Sequence, residues 1–512
     1  MTDAVRHVVV LGGGSAGWIT AGLLAAEHGS AEPGRLSITL IESPDTPAIG
    51  VGEGTWPSMR ETLQRIGLSE VELLRECDAS FKQGSRFDGW VDGNDRYYHP
   101  FSLPQGHGEA ELAAAWLNEP AGSKSFAGCV SAQPQVCEAG LAPKQTSTPE
   151  FAAVANYGYH FDAVKTGRLL RRHVTARLGV RHIADEVTGV RAHENGDIAA
   201  LHTRASGEVA GDLFIDCSGM ASRLLGQHYG VPLLSQQQLL FNDTALALQV
   251  PDDGKPLASV TIATAHAEGW TWDIGLPTRR GVGLVYSSAH TSAEAAETAL
   301  RAYIQRSGGP QDLPAARRIA FTPGYRERFW HRNCVAIGLS AGFIEPLEAS
   351  ALALVELSAA MIRDELPATR ADMDIVARRF NEAFAYRWSR VIDFLKLHYV
   401  LSRREDSDYW REHRLAQTCP ERLRELLQLW RHRAPYRGDL SRNEEVFPSA
   451  RYQYVLYGMG FRPELASVRP AQLAAAQARF REAATIAKRL LGGLPRHRDL
   501  IQHIDTHGMP AT

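Results

Sequence analysis

The sequence predicts an α/β fold with a Rossmann-like three-layer core, an interleaved antiparallel sheet and a C-terminal helical layer. The core is indicated by an apolar, β-branched run from Arg6, a glycine turn, and small and apolar residues at helical spacing. RLSITLIES (Arg35 to Ser43) then predicts a second buried strand, which completes a β-α-β unit. Alternating strand patterns later in the chain, followed by helical periodicity to the end, predict the other two parts.

The antiparallel sheet is predicted from hairpin signals and from strand-like segments in the middle of the chain. Asn195-Gly196 and Ser206-Gly207 are typical hairpin turns. The later segments are LALQV, SVTIATAH, WTWDIGL and GVGLVYSS. NCVAIGL (Asn333 to Leu339) predicts a further buried strand, which a loop connects to a long apolar helix over about 350–366.

The remaining stretches complete the expected organisation. Residues 55–80 have a helical pattern, whereas residues 92–150 are rich in Gly, Pro, Ala, Ser and Gln and are predicted to form long loops. We therefore expect one domain over residues 1–365, with the core, the interleaved sheet and the loops. A helical region over residues 366–512 is expected to pack on it.

Composition narrows the class of function. The 512 residues carry 55 basic and 58 acidic side chains, so the formal charge of -3 gives no long-range attraction for nucleic acid or an anionic membrane. Six scattered cysteines with no C-x-x-C spacing argue against a disulfide framework, an iron–sulfur cluster or a zinc site, and no metal is expected. With no apolar run of 18 residues and an N-terminus that leads into a core strand, we expect a cytoplasmic protein without a membrane anchor.

A glycine turn between the first strand and the first helix predicts a dinucleotide site. Gly12, Gly14 and Gly17 satisfy G-x-G-x-x-G: the first makes the turn, the second admits a pyrophosphate, and the third allows close packing of helix and strand. An acid ends the second strand, where it can accept hydrogen bonds from an adenosine ribose. The residues predicted to bind the dinucleotide are Gly12, Gly14, Ser15, Ala16, Gly17 and Glu42.

This motif alone does not separate NAD from FAD, but two later segments favour FAD. DLFIDCSGMASRL (Asp212 to Leu224) places an acid and small residues after a strand. NCVAIGLSAGFIEPLE (Asn333 to Glu348) brings a loop rich in small residues toward a helix start. Three such strand ends, spread over more than 300 residues, suit an extended FAD, so the core is predicted to be an FAD-binding flavoprotein domain.

Five short segments together carry a resemblance to a known family. They are, in chain order, GGGSAGW (Gly12 to Trp18), IGVGEGTWPSM (Ile49 to Met59), SFKQGSRFDGW (Ser80 to Trp90), WTWDIG (Trp270 to Gly275) and PLEAS (Pro346 to Ser350). The first is shared by many flavoproteins, whereas the lysine, W-x-W and PLE elements in this order are specific. Over nearly its whole length the chain resembles the flavin-dependent halogenases, a family typified by the tryptophan halogenases.

The resemblance implies a reaction and its participants. Reduced FAD (FADH2) and O2 oxidise chloride or bromide to hypohalous acid, which halogenates an electron-rich aromatic by electrophilic substitution. An indole compound is the favoured substrate. Because the sequence shows no second nucleotide-binding unit for NAD(P)H, a separate NAD(P)H-dependent flavin reductase is expected to supply FADH2. Whether the protein is a homodimer is left open.

The same resemblance gives roles to individual residues. Lys82 is implied as the catalytic lysine, which presents the electrophilic halogen at one point, and Glu348 as the carboxylate that polarises hypohalous acid and accepts the ring proton. From the residues alone Glu345 competes with Glu348, and the PLE register selects Glu348. Trp270, Trp272 and Ile274 are implied to shield the flavin.

Further contacts follow from the matched segments. Flavin contacts are expected at Gly50, Val51, Gly52, Glu53, Gly338 and Leu347, and halide contacts at Ser350 and Ala351. The chain departs from the family pattern in two places. Gly275 stands where the W-x-W signature has proline, and Ala349-Ser350-Ala351 replaces Ser-Thr-Gly, which retains a hydroxyl at Ser350 but loses the glycine.

Two other classes of function stay open at this point. An FAD-dependent monooxygenase or oxidoreductase of an aromatic compound would oxidise NAD(P)H without a partner protein. A non-catalytic flavin-binding or tRNA-associated protein would bind FAD without halide-dependent turnover. The near-neutral charge and the presence of both Lys82 and Glu348 count against the second class.

Overall fold

The computed structural model describes residues 4–29, 35–45, 52–120, 124–251, 254, 256–442, 445–465 and 468–510. The chain divides into two compact units, each made of three chain segments. Unit 1 comprises Met1–Ala79, Phe161–Gln236 and Phe321–Trp388. Unit 2 comprises Ser80–His160, Gln237–Ala320 and Ser389–Thr512. The expected domain boundary between residues 365 and 366 stays a prediction.

The strands of the described residues are numbered in chain order. They are β1 (His7–Leu11), β2 (Ser37–Glu42), β3 (Glu53–Gly54), β4 (Ser80–Lys82), β5 (Gly84–Asp88), β6 (Arg96–Pro100), β7 (Gly158–Phe161), β8 (Arg181–Ala184), β9 (Val187–Ala192), β10 (Ile198–Thr203), β11 (Glu208–Ala210), β12 (Leu213–Asp216), β13 (Leu233–Ser235), β14 (Thr244–Pro251), β15 (Thr261–His266), β16 (Gly269–Gly275), β17 (Arg279–Tyr286), β18 (Arg317–Ala320), β19 (Gly324–Arg326), β20 (Trp330–His331), β21 (Cys334–Ala336) and β22 (Gly342–Phe343).

The α-helices are numbered in the same way. They are α1 (Ser15–His28), α2 (Met59–Arg65), α3 (Glu70–Glu76), α4 (Leu112–Leu117), α5 (Phe126–Val130), α6 (Gln133–Glu138), α7 (Ala163–Leu178), α8 (Ala293–Arg306), α9 (Ser350–Asp364), α10 (Arg370–Val400), α11 (Asp408–His413), α12 (Glu421–Trp430), α13 (Ser449–Gly458), α14 (Pro470–Gly493) and α15 (His497–His507).

Unit 1 is built around a six-stranded sheet in the order β20-β21-β12-β1-β2-β8. All its pairings are parallel except β20 with β21. The central strand β1 is almost wholly apolar and buried, as expected for a strand covered on both faces. Helix α1 packs against α7 and α9. The predicted β-α-β unit and the Rossmann-like core are confirmed.

Two small sheets complete unit 1. Strands β9, β10 and β11 form antiparallel hairpins at the two predicted turns, where Gly196 and Gly207 adopt positive φ. Strands β13, β19 and β22 form the other antiparallel sheet.

Unit 2 contains the predicted antiparallel sheet. Its seven strands lie in the order β18-β14-β17-β16-β15-β5-β6, and every pairing is antiparallel except β15 with β5. Apolar side chains of β14 and β17, such as Leu246, Leu248 and Leu284, pack with Leu300 and Ile304 of α8 in one buried cluster. The interleaved sheet is therefore confirmed.

The prediction of long loops over residues 92–150 is wrong in part. This stretch contains β6, which pairs with β5, and the short helices α4, α5 and α6. None of these helices exceeds 6 residues, too short to be stable alone. They pack against α14, which is far away in the sequence, and Val136 shares a buried cluster with Ala487 and Leu490.

The helical periodicity after residue 366 is confirmed by α10 to α15. The 31-residue helix α10 contributes residues up to Trp388 to unit 1 and residues from Ser389 to unit 2. Among the described residues, no helix combines the length and the apolar character needed to cross a bilayer.

Candidate active site

The carboxyl ends of three neighbouring parallel strands in unit 1 converge at the predicted dinucleotide site. Leu11 of β1 is paired with Asp216 of β12, and Asp216 is paired with Ala336 of β21. The backbone continues these contacts beyond the strands, since Cys217 donates to the Leu11 carbonyl and Ile337 to the Asp216 carbonyl. The three strand ends that the sequence separates by more than 300 residues therefore lie side by side.

The three motif glycines occupy three different environments. Gly12 has a φ of 118°, and a Cβ there would lie 2.1 Å from the Cys217 carbonyl oxygen. A Cβ on Gly17 would lie 1.9 Å from the Gly12 carbonyl oxygen, so only glycine allows α1 to begin this close to the turn. A Cβ on Gly14 would meet no described atom within 4 Å. The strand-to-helix turn is therefore open at the position where a pyrophosphate approaches.

The start of α1 is chemically suited to phosphate. Gly14 is its N-cap and provides no side-chain hydrogen bond, and the first turn holds no acidic residue. Ser15 and Ala16 form the first turn with their backbone N–H groups at the positive end of the helix dipole. These features fit an anion bound at this helix end.

Glu42, which ends β2, lies beside the glycine turn. A Cβ on Gly13 would be 2.2 Å from the Glu42 carboxyl carbon, so this side chain lies against the turn itself. Its Oε2 is 3.1 Å from His182 Nε2 and 3.8 Å from the Arg171 guanidinium. A partly exposed carboxylate at this point is able to accept hydrogen bonds from a ribose, and this role of Glu42 stays a prediction.

Gly338 brings the third strand end against α1. It has a φ of 68°, and a Cβ there would lie 2.9 Å from the Ala16 methyl group. The following Ser340 donates to the Asp216 carboxylate, which also accepts from the backbone N–H groups of Leu224 and Leu225. Buried Asp216 thus connects the loops after β12 and β21.

Part of the predicted GVGE loop lies outside the described residues, namely Gly50 and Val51. Gly52 is buried and has a φ of 114°, and Glu53 begins the two-residue strand β3. Desolvation, reinforced by the nearby Asp162 carboxylate, raises the pKa of Glu53 to about 7.

The PLE segment forms a sharp turn before α9. Leu347 is buried in a short 3-10 turn, and the next two residues, Glu348 and Ala349, have φ values of 64° and 53°. Two consecutive non-glycine residues in the left-handed region are rare and cost about 1–3 kcal/mol each. The Trp56 indole N–H donates to the Glu348 carbonyl oxygen over 2.8 Å.

The residues predicted to bind halide begin α9. Ser350 is buried, whereas Ala351 is exposed, and the N-cap Ala349 provides no side-chain hydrogen bond to the first turn. The backbone N–H groups at this end of a 15-residue helix favour an anion. The substitution of glycine by Ala351 leaves these N–H groups in place.

Glu356, which the sequence analysis did not select, lies on the buried face of α9. Its carboxylate accepts hydrogen bonds from Ser58 over 3.1 Å and from Thr62 over 2.5 Å. Burial, together with the charge of Glu61, raises the pKa of Glu356 to about 7 against the opposing effect of the two hydroxyl groups.

Lys82 lies in unit 2 at the end of β4. This strand pairs with β7, where Lys82 is opposite Gly158. The side chain is 1% exposed, which is unusual for lysine, and its ammonium lies 5.5 Å from the centre of the Phe101 ring. Lys82 is therefore enclosed by packed side chains rather than exposed to solvent.

Two buried histidines lie close to this lysine strand. His160 Nε2 is 2.8 Å from Thr261 Oγ1, and burial, followed by the charge of Lys82, lowers the pKa of His160 well below its usual value. His497 Nε2 accepts from the Phe81 backbone N–H over 3.0 Å, and burial lowers the pKa of His497 to about 4. Both imidazoles are therefore neutral near pH 7, so neither His160 nor His497 places a second positive charge beside Lys82.

The W-x-W strand β16 is buried along its whole length. Trp270 and Trp272 lie on the same face, with ring centres 6.3 Å apart, as their alternation predicts. Gly283, the cross-strand partner of Trp272, leaves room for this indole, since a Cβ there would be 2.1 Å from it. Ile274 is also buried.

Gly275 ends β16 in place of the family's proline. Its carbonyl oxygen accepts a hydrogen bond from the Ser80 hydroxyl over 2.7 Å. Ser80 is two residues before Lys82 on β4, so the W-x-W strand and the lysine strand are directly connected. A carbonyl oxygen is available in any residue, and the departure leaves this connection intact.

The structure thus gathers the predicted residues into two groups. In unit 1 it brings together the glycine turn, Glu42 and Gly338. A second set lies around the start of α9, a helix that packs on α1, and consists of Leu347, Glu348, Ser350 and Ala351. In unit 2 the structure brings Lys82 close to β16, which carries Trp270, Trp272 and Ile274. The functional roles of these residues stay predictions.

Sequence reasoning missed several residues that support these groups. Asp216 is the acid that the sequence places at the end of a strand in favour of FAD, but it was given no role of its own, and Glu356 had a usable signal as an acid within an apolar helix. Trp56 lies in the matched segment IGVGEGTWPSM but was given no role there, and His160 had no signal, because their hydrogen-bond partners lie 292 and 101 residues away in the chain.

Comparison with known proteins agrees with this arrangement. The family model described as "Tryptophan halogenase" matches residues 7–476. The 7-chloro-L-tryptophan 6-halogenase of Kutzneria sp. (strain 744) is 33% identical, over 96% of this chain and 98% of the relative.

Solved structures give the same result. The tryptophan halogenase of Shewanella frigidimarina NCIMB 400 has a TM-score of 0.96 and 48% identity, covering 100% of both chains. A flavin-dependent halogenase from Brevundimonas sp. BAL3 has a TM-score of 0.87 and 33% identity, covering 98% of this chain and 100% of that one.

The parallel sheet with its glycine turn is the Rossmann-like FAD domain of a flavin-dependent halogenase, and this protein is an enzyme of that class. The chain belongs to the tryptophan halogenase family.

Proposed function

We propose that the protein halogenates an electron-rich aromatic compound of the indole type, using FADH2, O2 and chloride or bromide. The observation that carries this proposal is the buried Lys82 on β4 in a chain that matches the family over residues 7–476. Two of the three relatives named above are described as halogenases of tryptophan or chlorotryptophan or as a tryptophan halogenase, which favours an indole ring. A separate NAD(P)H-dependent flavin reductase would supply FADH2.

The described residues fit FAD in unit 1. The open position at Gly14, the uncapped start of α1 and the carboxylate of Glu42 match the pyrophosphate and ribose of a dinucleotide. Gly338, Leu347 and, by resemblance, the segment 50–53 would complete the contacts with the flavin. When bound, FADH2 would supply the two electrons with which O2 oxidises halide to hypohalous acid, so that one oxygen atom enters the acid, the other leaves as water and FAD is left oxidised.

The halide is expected at the start of α9. The Ser350 hydroxyl and the backbone N–H groups of the first turn, including that of Ala351, would hold it by hydrogen bonds and the helix dipole. Trp270, Trp272 and Ile274 would form an apolar wall that keeps the aromatic substrate from the flavin.

Lys82 would direct the halogen. Its amine either hydrogen-bonds hypohalous acid or forms an N–halogen bond with loss of water, and in both cases holds the electrophile at one position. The aromatic carbon then forms its bond to the halogen, and the bond from halogen to oxygen or nitrogen breaks. Glu348 would accept the proton that leaves the ring carbon, so that the ring regains its aromaticity.

Mass spectrometry of product mixtures tests this function. The protein is incubated with FAD, a flavin reductase, NADH, bromide and a panel of indoles and phenols, in parallel with Lys82→Ala. We expect a monobrominated product from the unmodified protein alone. Rapid NADH oxidation without the reductase, or a hydroxylated product, would instead indicate the monooxygenase class.

A further inference from the structure

Trp56 contacts the backbone of Glu348, the residue proposed to carry the catalytic carboxylate. Its indole N–H donates to the backbone carbonyl of Glu348 over 2.8 Å, although 292 residues separate the two. Glu348 is one of two consecutive residues with positive φ, and it is 8% exposed. The hydrogen bond therefore acts on the peptide group between Glu348 and Ala349, directly beside the Cα atom that carries the Glu348 side chain.

The backbone at this point needs an external restraint. Neither Glu348 nor Ala349 is a glycine, so each left-handed conformation is less stable than an ordinary one. Such conformations persist where the surroundings hold them. A hydrogen bond to the carbonyl between these two residues favours one orientation of their shared peptide group.

The segment that carries Trp56 is itself fixed to α9. Two residues further on, Ser58 donates to Glu356 over 3.1 Å, and Thr62 of α2 donates to the same carboxylate over 2.5 Å. Residues 56–62 therefore hold α9 at Glu356 and the turn before it at Glu348. This two-point attachment gives the indole a fixed position from which to act.

We propose that Trp56 is a positioning residue that holds the left-handed Glu348–Ala349 turn and thereby aims the Glu348 carboxylate. The proposal deepens the proposed function, because it rests on Glu348 as the acceptor of the ring proton. Trp56 acts through the backbone of Glu348 and needs no contact with the substrate.

Trp56→Phe is the most direct test, because it keeps an aromatic ring and removes the N–H donor, and the loss of ring volume that accompanies this change is matched in the control variant Trp410→Phe. We expect kcat for bromination to fall about 10-fold, because the Glu348 carboxylate is no longer held in the position where it accepts the ring proton. The KM for the indole substrate should change by less than about 2-fold, because the substrate still binds. In the full chain with FAD, amides of residues 346–354 should exchange hydrogen for deuterium faster.

Trp410→Phe is a matched control. The Trp410 indole N–H also donates to a carbonyl over 2.8 Å, that of His266, but neither residue belongs to the proposed machinery. The variant should lower thermal stability and leave both kcat per folded molecule and the exchange of residues 346–354 unchanged.

Rescue by glycine separates positioning from general damage. Ala349→Gly removes the conformational cost at a φ of 53°. In the Trp56→Phe background it should raise kcat by about 3-fold or more, which is half of the expected 10-fold loss on a logarithmic scale. A general loss of packing would not respond to this substitution.

The inference is overturned if Trp56→Phe leaves the exchange of residues 346–354 unchanged, or if Trp410→Phe lowers kcat equally. If no variant, including the unmodified chain, forms a brominated product, the proposed function fails. The exchange comparison then still decides whether Trp56 holds the turn.

Discussion

At the scale of single residues, Lys82 differs from most lysines because it is almost fully buried. The neutral His160 and His497 adjoin its strand, and Phe101 faces its ammonium. Burial of an ammonium group is unfavourable unless other contacts compensate for the lost hydration. Lys396 is buried to the same extent, so burial by itself does not assign a role, and the reactive role of Lys82 is what we propose from the family match.

Lys82→Met is therefore expected to abolish halogenation, with at least a 100-fold lower product yield by mass spectrometry, while FAD still binds. Lys396→Met provides the comparison, because Lys396 is also fully buried and donates to the Leu239 carbonyl over 3.0 Å. It should lower the melting temperature but retain activity per folded molecule. Equal activity of Lys82→Met and the unmodified chain would refute the role of the lysine.

Glu356 allows a pH-dependent prediction. Its pKa is about 7 in the folded chain and about 4.5 when unfolded, so the folded state holds the proton more tightly. Its favourable contribution to stability is complete below pH 4.5 and decreases as the pH rises to about 7. This change amounts to about 2 kcal/mol between pH 5 and pH 8.

Glu356→Gln removes this titration, because the amide is neutral at every pH. Urea unfolding at pH 5 and pH 8 should show that the variant gains about 2 kcal/mol relative to the unmodified protein at the higher pH. Glu53, whose pKa is also raised, is present in both proteins and cancels in the comparison. A stability difference that does not vary with pH would contradict the assignment.

At the scale of elements, the turn from β1 to α1 combines two glycines that packing requires with one that it does not. A Cβ on Gly12 or Gly17 would lie within 2.1 Å of a backbone atom, whereas a Cβ on Gly14 would meet no atom of the described residues within 4 Å. A turn with only a structural function does not require glycine at residue 14, because the φ of -74° at Gly14 is accessible to any residue.

Gly14→Ala should therefore spare the fold and impair the cofactor. The free energy of unfolding of the flavin-free protein should change by less than about 1 kcal/mol, while the Kd for FAD rises at least about 10-fold because the methyl group occupies the space of the pyrophosphate. Fluorescence titration with FAD and urea unfolding measure the two effects.

Gly167→Ala in α7 serves as the control for this substitution. Within the part of the chain that the structure describes, a Cβ at Gly167 would also meet no atom within 4 Å, and the residue lies inside a helix. This variant should gain about 0.5–1 kcal/mol of stability and bind FAD normally. Unchanged FAD affinity in Gly14→Ala would mean that the dinucleotide does not approach this turn.

At the scale of the whole molecule, the sequence predicted those parts of the fold whose interacting residues are close together in the chain. The turn from β1 to α1 and the hairpins at Gly196 and Gly207 were predictable, because their residues are adjacent in sequence. Helices α4 to α6 were not, since short helices in a Gly- and Pro-rich stretch depend on packing against α14.

The candidate site shows the same division. Strand and glycine patterns led to the dinucleotide turn directly. Lys82 and Glu348 were found only by resemblance to a family, because one lysine or one glutamate has no distinctive pattern. The Trp56–Glu348 contact and the Gly275–Ser80 contact join segments far apart in the chain, and no local rule predicts such pairs.

The central claim is that externally reduced flavin is sufficient for halogenation by this chain. A single-turnover experiment tests it most directly: the protein is mixed without oxygen with stoichiometric photoreduced FAD, and then with O2, bromide and an indole. We predict a brominated indole that depends on bromide and forms without NAD(P)H or a reductase. Flavin reoxidation that yields only hydrogen peroxide or a hydroxylated indole would contradict the account.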